Sequence, residues 1–431
     1  MDVEGLADQK SYKNFFYFLF GQQFSLLGSS IVYFIIGWWI TIETNSAIYL
    51  SLSSVFYFLP QIIIAPIAGV LSDRISRKLI IISVDFIQAM VTFGLFLLFT
   101  FNFSNIWIVL SVNAIRSVLQ AFHVPTYNAI VPSMVPNDRL NRANAINGFF
   151  SSIIYMIGPI LGGIFYALFP INQIFMIDII TFLIALVPVL LINIPKVSSF
   201  KQQEKEKLSF FKEFKIGLIA VKTTPGLISL ILLAMLLNFL HRPFSDLLPL
   251  YVNKVHNGTA IELSFVAAFM SIANIIGSFM NAFKKEWKHK TSIIMIGSMT
   301  IFIGYSLLII TPYRFFIFIA IGLFIAGLSF NFILINYMTI LQSSVPPDKV
   351  GRVVSLDHSI TFAIMPLGSI IGGMLAELIG IKNLYLIFIV IAITISILIW
   401  IFTDIRKLDF IRGGKIQYPS VRKSSKNKSK P

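Results

Sequence analysis

Long apolar runs alternate with short polar breaks along almost the whole chain. A helix that crosses a bilayer needs about 20 mostly apolar residues. The runs predict such helices over 13–41, 46–71, 79–101, 105–130, 142–169, 171–194, 223–251, 261–283, 291–311, 314–342, 353–379 and 382–403. Twelve crossings bring both termini to one side. The longest polar break, Lys196 to Lys222 with its K-Q-Q-E-K-E-K run, falls at mid-chain. It divides the sequence into a half over 1–194, a linker over 195–222 and a half over 223–403, followed by a basic, disordered tail over 404–431.

The two halves repeat one another. Val135-Pro136-Asn137-Asp138-Arg139 with Arg142 recurs 210 positions later as Val345-Pro346-Pro347-Asp348-Lys349 with Arg352, and Gly158, Gly162 and Gly163 recur as Gly368, Gly372 and Gly373. An internal repeat of six-helix units implies a pseudo-two-fold axis along the membrane normal, with a cavity between the halves. The expected fold is therefore an all-α membrane protein of twelve helices in two pseudo-symmetric bundles.

Composition removes most other classes. Hydrophobic residues make up 56% of the chain, charged ones 12%, and the mean hydropathy is +0.83, which a soluble surface cannot accommodate. The formal charge of +15 would suit nucleic acid, but its placement follows the membrane. With the helices above, 29 Lys and Arg fall on the side of the termini and 3 on the other, Lys254, Arg314 and Lys382. Basic loops stay inside, so both termini are expected in the cytoplasm, in a plasma-membrane protein that touches lipid and no nucleic acid. The polar start Met1 to Lys13 leads into the first helix without a small-residue cleavage pattern, so that helix is expected to be retained.

Cysteine is absent, which excludes disulfides and thiolate chemistry. No G-x-x-x-x-G-K-[ST] run is present to hold ATP, and the five histidines lack metal-ligand spacing. No nucleophile, base and orienting group assemble. The expectation is a non-enzyme with no cofactor and no metal.

Between the second and third helices lies G-V-L-S-D-R-I-S-R-K, Gly69 to Lys78. Gly69 would let two helices approach as they leave the membrane, while Arg74, Arg77 and Lys78 hold the turn in the cytoplasm. Orientation does not require Asp73, so the turn reads as a conformational latch, with Asp357 of the eleventh helix its expected partner from the other half. The spacing G-x-x-x-D-R-x-x-R-K resembles the loop signature of the major facilitator superfamily, with Ser76 where that family often has glycine. In the fifth helix, Gly158-Pro159-Ile160-Leu161-Gly162-Gly163 combines a packing seam with a site of bending. The string resembles the signature of the superfamily's drug and proton antiporters, with Ile154 where they carry a leading glycine.

Ionisable residues inside spans are costly and mark function. Arg116 sits in the fourth helix, and the seventh carries His241, Arg242 and Asp246 around Pro243. Asp246 is the leading proton-carrier candidate and His241 the second, with Arg116, Asp85 and Asp178 completing the set. Ion pairing within the fold is the alternative for each. Gln22, Gln23, Asn113 and Arg242 are candidates for the cavity wall.

A narrower resemblance, to the macrolide-efflux and siderophore-exporter branch of the superfamily, rests on residues spread over nearly the whole chain. They are Gly21-Gln22 with Ser25, Phe58-Leu59-Pro60, Asp73-Arg74 with Arg77-Lys78, Arg116-Ser117, Ala121-Phe122-His123 with Pro125, Asn128-Ala129 and Gly351-Arg352-Val353. The resemblance implies secondary active efflux of hydrophobic or amphipathic small molecules, driven by proton antiport; a monomer is expected. Import or lysophospholipid translocation on the same scaffold, and a receptor or assembly role without transport, stay open as alternatives.

Overall fold

The computed structural model describes residues 9–194, 210–284, 287–412 and 415–416. Twelve of its helices are long and apolar enough to cross a membrane. In the first half these are α1 (Gln9–Thr44), α2 (Ala47–Arg74), α3 (Arg77–Thr100), α4 (Ile106–Met134), α5 (Leu140–Leu168) and α6 (Ile171–Leu191). A shorter helix, α7 (Phe210–Thr223), then leads into α8 (Leu227–Asp246), a brief α9 (Leu248–Leu250) and a π turn over Tyr251–Val255. The remaining crossings are α10 (Ala260–Phe283), α11 (Lys290–Ile310), α12 (Phe316–Ser343), the pair α13 (Val350–Ala363) and α14 (Met365–Ile379), and α15 (Ile381–Phe402).

Local chemistry fixes the helix ends. Ser46 and Asn105 cap α2 and α4 with their side chains, and Thr259 and Glu262 form a reciprocal capping box on α10. Asn45, Asn102 and Asn257 take positive φ in the turns just before these caps, where asparagine is tolerated. The seventh span stops at Asp246 because Pro243 and Pro249 deny it backbone donors. The eleventh breaks at Ile364, directly before Met365-Pro366, so one expected helix becomes two.

Two sequence expectations change at the ends of the second half. Part of the linker is helical as α7, whose Ala220 and Val221 are buried. The tail expected to be disordered from Asp404 instead starts with a 3-10 turn, Asp404–Phe410, that inserts Ile405 and Leu408 into the same apolar cluster, followed by the buried Ile411. Gly226 makes this docking possible, since at its φ of 81° an added Cβ would lie 2.5 Å from the Asp404 carbonyl oxygen.

Packing differs at the two ends of the bundle. Toward the end carrying Asn45, Asn257 and Gly380, one continuous buried cluster joins both halves, from Ile31 and Leu50 through Phe244 and Ala260 to Ala376. Toward the end carrying Ser76 and Pro136, no buried cluster among the described residues joins the halves. Phe15, Ile81, Ile130 and Val189 belong to one cluster, and Val221, Leu230, Ile340 and Leu356 to another. The halves are thus sealed together at the Asn45 end and separately packed at the Ser76 end.

Candidate transport cavity

The seal is built from two related contacts. Gly163 of α5 lies against α10, where an added Cβ would come 2.7 Å from the Ala260 carbonyl oxygen, and Gly373 of α14 lies against α2, where it would come 2.9 Å from the Ala47 carbonyl oxygen. Side chains at either glycine would force the halves apart. Gly158 and Gly162 face Ser30 and Phe34 of α1, so they bind the first half to itself. Next to the Gly373 contact, Glu377 of α14 accepts hydrogen bonds from the Ser46 hydroxyl (2.5 Å) and the Ala47 amide (2.8 Å). A carboxylate from one half therefore caps the first turn of a helix in the other.

Below the seal, a cavity of about 550 Å³ opens between the halves. Tyr33, Ser54, Tyr57, Asn113, Tyr155 and Pro159 line it from the first half, and Arg242 and Asp246 from the second. Arg242 and Asp246 lie one helical turn apart and pair at 2.7 Å. Ser54 of α2 donates to Asp246 at 2.7 Å and Ser369 of α14 donates to it at 2.5 Å. The Arg242 guanidinium also stacks 4.3 Å from the Phe58 ring of α2. Asp246 is buried and engaged by both halves at once. The ion pair leaves the wall without net charge at this point, beside three tyrosines and Asn113.

The other predicted residues fall elsewhere. His241 turns away from Arg242 into the second half, where its Nδ1 bonds the Tyr305 hydroxyl at 2.8 Å. Arg116 and Asp178 form a buried pair at 2.9 Å inside the first half, and Thr92 bonds both. Asp85 is buried beside Gln22 (3.1 Å) and His123 (3.5 Å). Gln22 and Gln23, expected in the cavity wall, are not there: Gln22 serves Asp85 and His123, while Gln23 bonds Asn147 at 2.9 Å. In apolar surroundings each polar group is drawn to the nearest partner that satisfies it.

The charged turn also differs from expectation. An added Cβ at Gly69 would meet nothing within 4 Å, so no close helix approach depends on it here. Arg77 donates to the Ala129 carbonyl and Lys78 to those of Leu190 and Ile192, which ties the turn to the ends of α4 and α6 in its own half. The side chains of Asp73 and Arg74 lie outside the described residues. Asp357, their expected partner, is buried within the second half and bonded by the Tyr337 hydroxyl.

Several cavity residues carry no motif. Tyr33, Tyr57, Tyr155 and Ser54 are ordinary residues in apolar helices until the fold gathers them. Ser369 left a faint trace, since it stands where the repeat has Pro159 in the first half. Glu377 left another, as an acid in the last turns of a span on the side that has few charges.

The Major Facilitator Superfamily model matches residues 18–365. The chain is 32% identical over 394 residues to macrolide efflux protein A of Streptococcus pyogenes, covering 90% of this chain and 96% of that one. It is 23% identical over 376 residues to the staphyloferrin A transporter of Staphylococcus aureus, covering 85% and 91%. Among solved structures, a mutant of the nucleoside transporter NupG superposes with a TM-score of 0.71 at 15% identity, over 91% of this chain and 99% of that one.

Proposed function

The chain belongs to the Major Facilitator Superfamily, in its macrolide-efflux branch, and on that premise we propose proton-driven export of hydrophobic or amphipathic small molecules by alternating access. It is a multi-pass membrane transporter and not an enzyme. The observation that carries the proposal is the position of Asp246, which lies in the cavity and is held by Arg242 from its own half and Ser54 from the other.

With both termini in the cytoplasm of a plasma-membrane protein, the sealed Asn45 end faces outward. The cavity then stands ready to take a solute from the cytoplasm or the inner leaflet. Its tyrosines, Phe58 and Asn113 suit a ligand with a large apolar body and a few polar groups, and its size lies in the range of about 300–1,000 Å³ usual for small-molecule sites. The ionised Asp246 carboxylate accepts from Arg242, Ser54 and Ser369. A proton arriving from outside neutralises it and frees the Arg242 guanidinium. Return to the inward-facing state carries that proton to the cytoplasm. The charged turn of Gly69, Asp73, Arg74, Arg77 and Lys78 would close the Ser76 end in the opposite state, where the separate cores of the two halves approach. A monomer is sufficient, since both walls of the cavity come from one chain.

The test is uptake of a labelled macrolide into proteoliposomes with an acidic lumen, using protein-free liposomes to set passive trapping of the base. Export by antiport predicts uptake above that level, abolished by an uncoupler and by Asp246→Asn. Protein-dependent uptake that ignores the gradient would point to facilitated diffusion instead.

A further inference from the structure

Four carboxylates in the described spans are buried: Asp85, Asp178, Asp246 and Asp357. Three are provided with a basic side chain. Asp178 has Arg116 at 2.9 Å, Asp246 has Arg242 at 2.7 Å and Asp85 has His123 at 3.5 Å. Asp357 has none within ion-pair distance among the described residues, although it is only 2% exposed. Its neighbour His358 is exposed, with its ring stacked on Phe362. The Tyr337 hydroxyl is the hydrogen-bond donor to the Asp357 carboxylate.

Asp357 faces a second cavity, of about 260 Å³, lined by α8, α11, α12, α13 and the start of α14 within the second half. It shares no lining residue with the central cavity. Helix α8 divides the two, presenting Arg242 and Asp246 on one side and His241 on the other. The walls are apolar and aromatic, including Phe302 and Phe330, and the His241 ring stacks on Phe330 at 6.1 Å. His241 is already engaged by Tyr305 and Ser245.

The repeat isolates what is special here. Tyr127 donates to Asn147 at 2.7 Å in the first half, and Tyr337 and Asp357 occupy the positions 210 residues later. The first-half position carries a neutral amide that Gln23 also bonds. The second half replaces it with an acid and leaves a cavity in front of it.

A buried carboxylate without a counter-ion is costly, and aromatic faces attract cations. We propose that this cavity is a second binding site, for a compact aromatic or aliphatic ammonium compound whose cationic head pairs with Asp357 while its apolar body lies against Phe302 and Phe330. The site is separate from the exported solute's path and does not depend on the direction of transport.

Equilibrium binding of tritiated benzyltrimethylammonium to the purified full chain in lipid nanodiscs tests this without any flux. The expected result is saturable binding that benzoate, an aromatic anion, does not displace. Asp357→Asn should weaken it at least tenfold, whereas Asp246→Asn should retain it. Absence of saturable binding, equal displacement by benzoate, or undiminished binding in a folded Asp357→Asn protein would overturn the proposal. Loss in Asp246→Asn would also overturn it, by assigning the probe to the central cavity. If Asp357→Asn does not fold, Phe330→Leu keeps the charge and removes one aromatic wall. It should weaken binding several-fold, and unchanged affinity there would count against the site.

Discussion

Glu377 of α14 accepts a hydrogen bond from the backbone amide of Ala47, the first residue of α2, across the boundary between the halves. At the corresponding helix of the second half, α10, the carboxylate comes from the same half, where Glu262 forms a local capping box with Thr259. One of the two pseudo-symmetric contacts at the sealed end therefore carries a charge-assisted bond that must break when that end opens. The cost of losing such a bond to a charged group is about 1.5–3 kcal/mol.

Glu377→Ala is predicted to populate the state open at the Asn45 end. The chain has no cysteine, so a single Ser53→Cys in the cavity wall reports access directly. Labelling by an impermeant thiol reagent added outside should rise several-fold in the Glu377→Ala background and less in Glu377→Gln.

Gly373→Val should act through sterics rather than charge. The added side chain has no room against the Ala47 carbonyl, so the seal cannot form. Export should fall by tenfold or more while the protein remains folded, with the Ser53→Cys probe labelled from outside as in Glu377→Ala.

Arg116 and Asp178 are predicted to stabilise the first half. Removing one partner of a buried pair costs about 3–5 kcal/mol, whereas replacing both with apolar residues is often neutral. Arg116→Met and Asp178→Leu alone should lower the thermal midpoint sharply, and the double variant should recover it and retain transport. A double variant that folds normally but does not transport would give the pair a part in coupling.

Much of the architecture was legible because membrane spans, basic loops and repeats are statements about runs of residues. The site was less so. Arg242 and Asp246 could be marked from their cost in a bilayer, but Ser54 and Ser369, which hold Asp246 between the halves, look like any helical serine. Gln22 and Gln23 show the converse: polar residues in the first span suggested a cavity wall, yet buried partners in their own half claimed them. The start of the tail differs from expectation for a similar reason, and its residues 417–431 lie outside the described residues. Its composition is basic and polar overall, while three apolar residues, Ile405, Leu408 and Ile411, suffice to dock its first turn.

His256 lies outside the spans, in the connection between α9 and α10, buried at the sealed end. Its Nδ1 accepts from the Arg314 amide at 3.3 Å, which leaves Nε2–H to bond the Tyr251 hydroxyl at 2.8 Å. Tyr251 in turn donates to the Leu308 carbonyl. Burial, then nearby Lys382, holds the imidazole below its ordinary value of 6.5. The unfolded chain therefore takes up the proton first as pH falls. Stability from this residue is complete above pH 6.5 and declines below it, toward the lowered folded value. Thermal midpoints measured from pH 7.5 down to 5 should fall less steeply in His256→Gln than in the unmodified protein.

The central claim is that the halves rock about the cavity holding Arg242 and Asp246, and paired distances test it most directly. Spin labels at Ile48 and Leu378 would report the Asn45 end, and labels at Ile75 and Phe283 the Ser76 end. All four residues are exposed and each pair spans the halves. Starting from the conformation described, Glu377→Ala should lengthen the first distance and shorten the second in the same sample. Distances that change in the same direction, or that stay fixed while macrolide transport proceeds, would contradict alternating access.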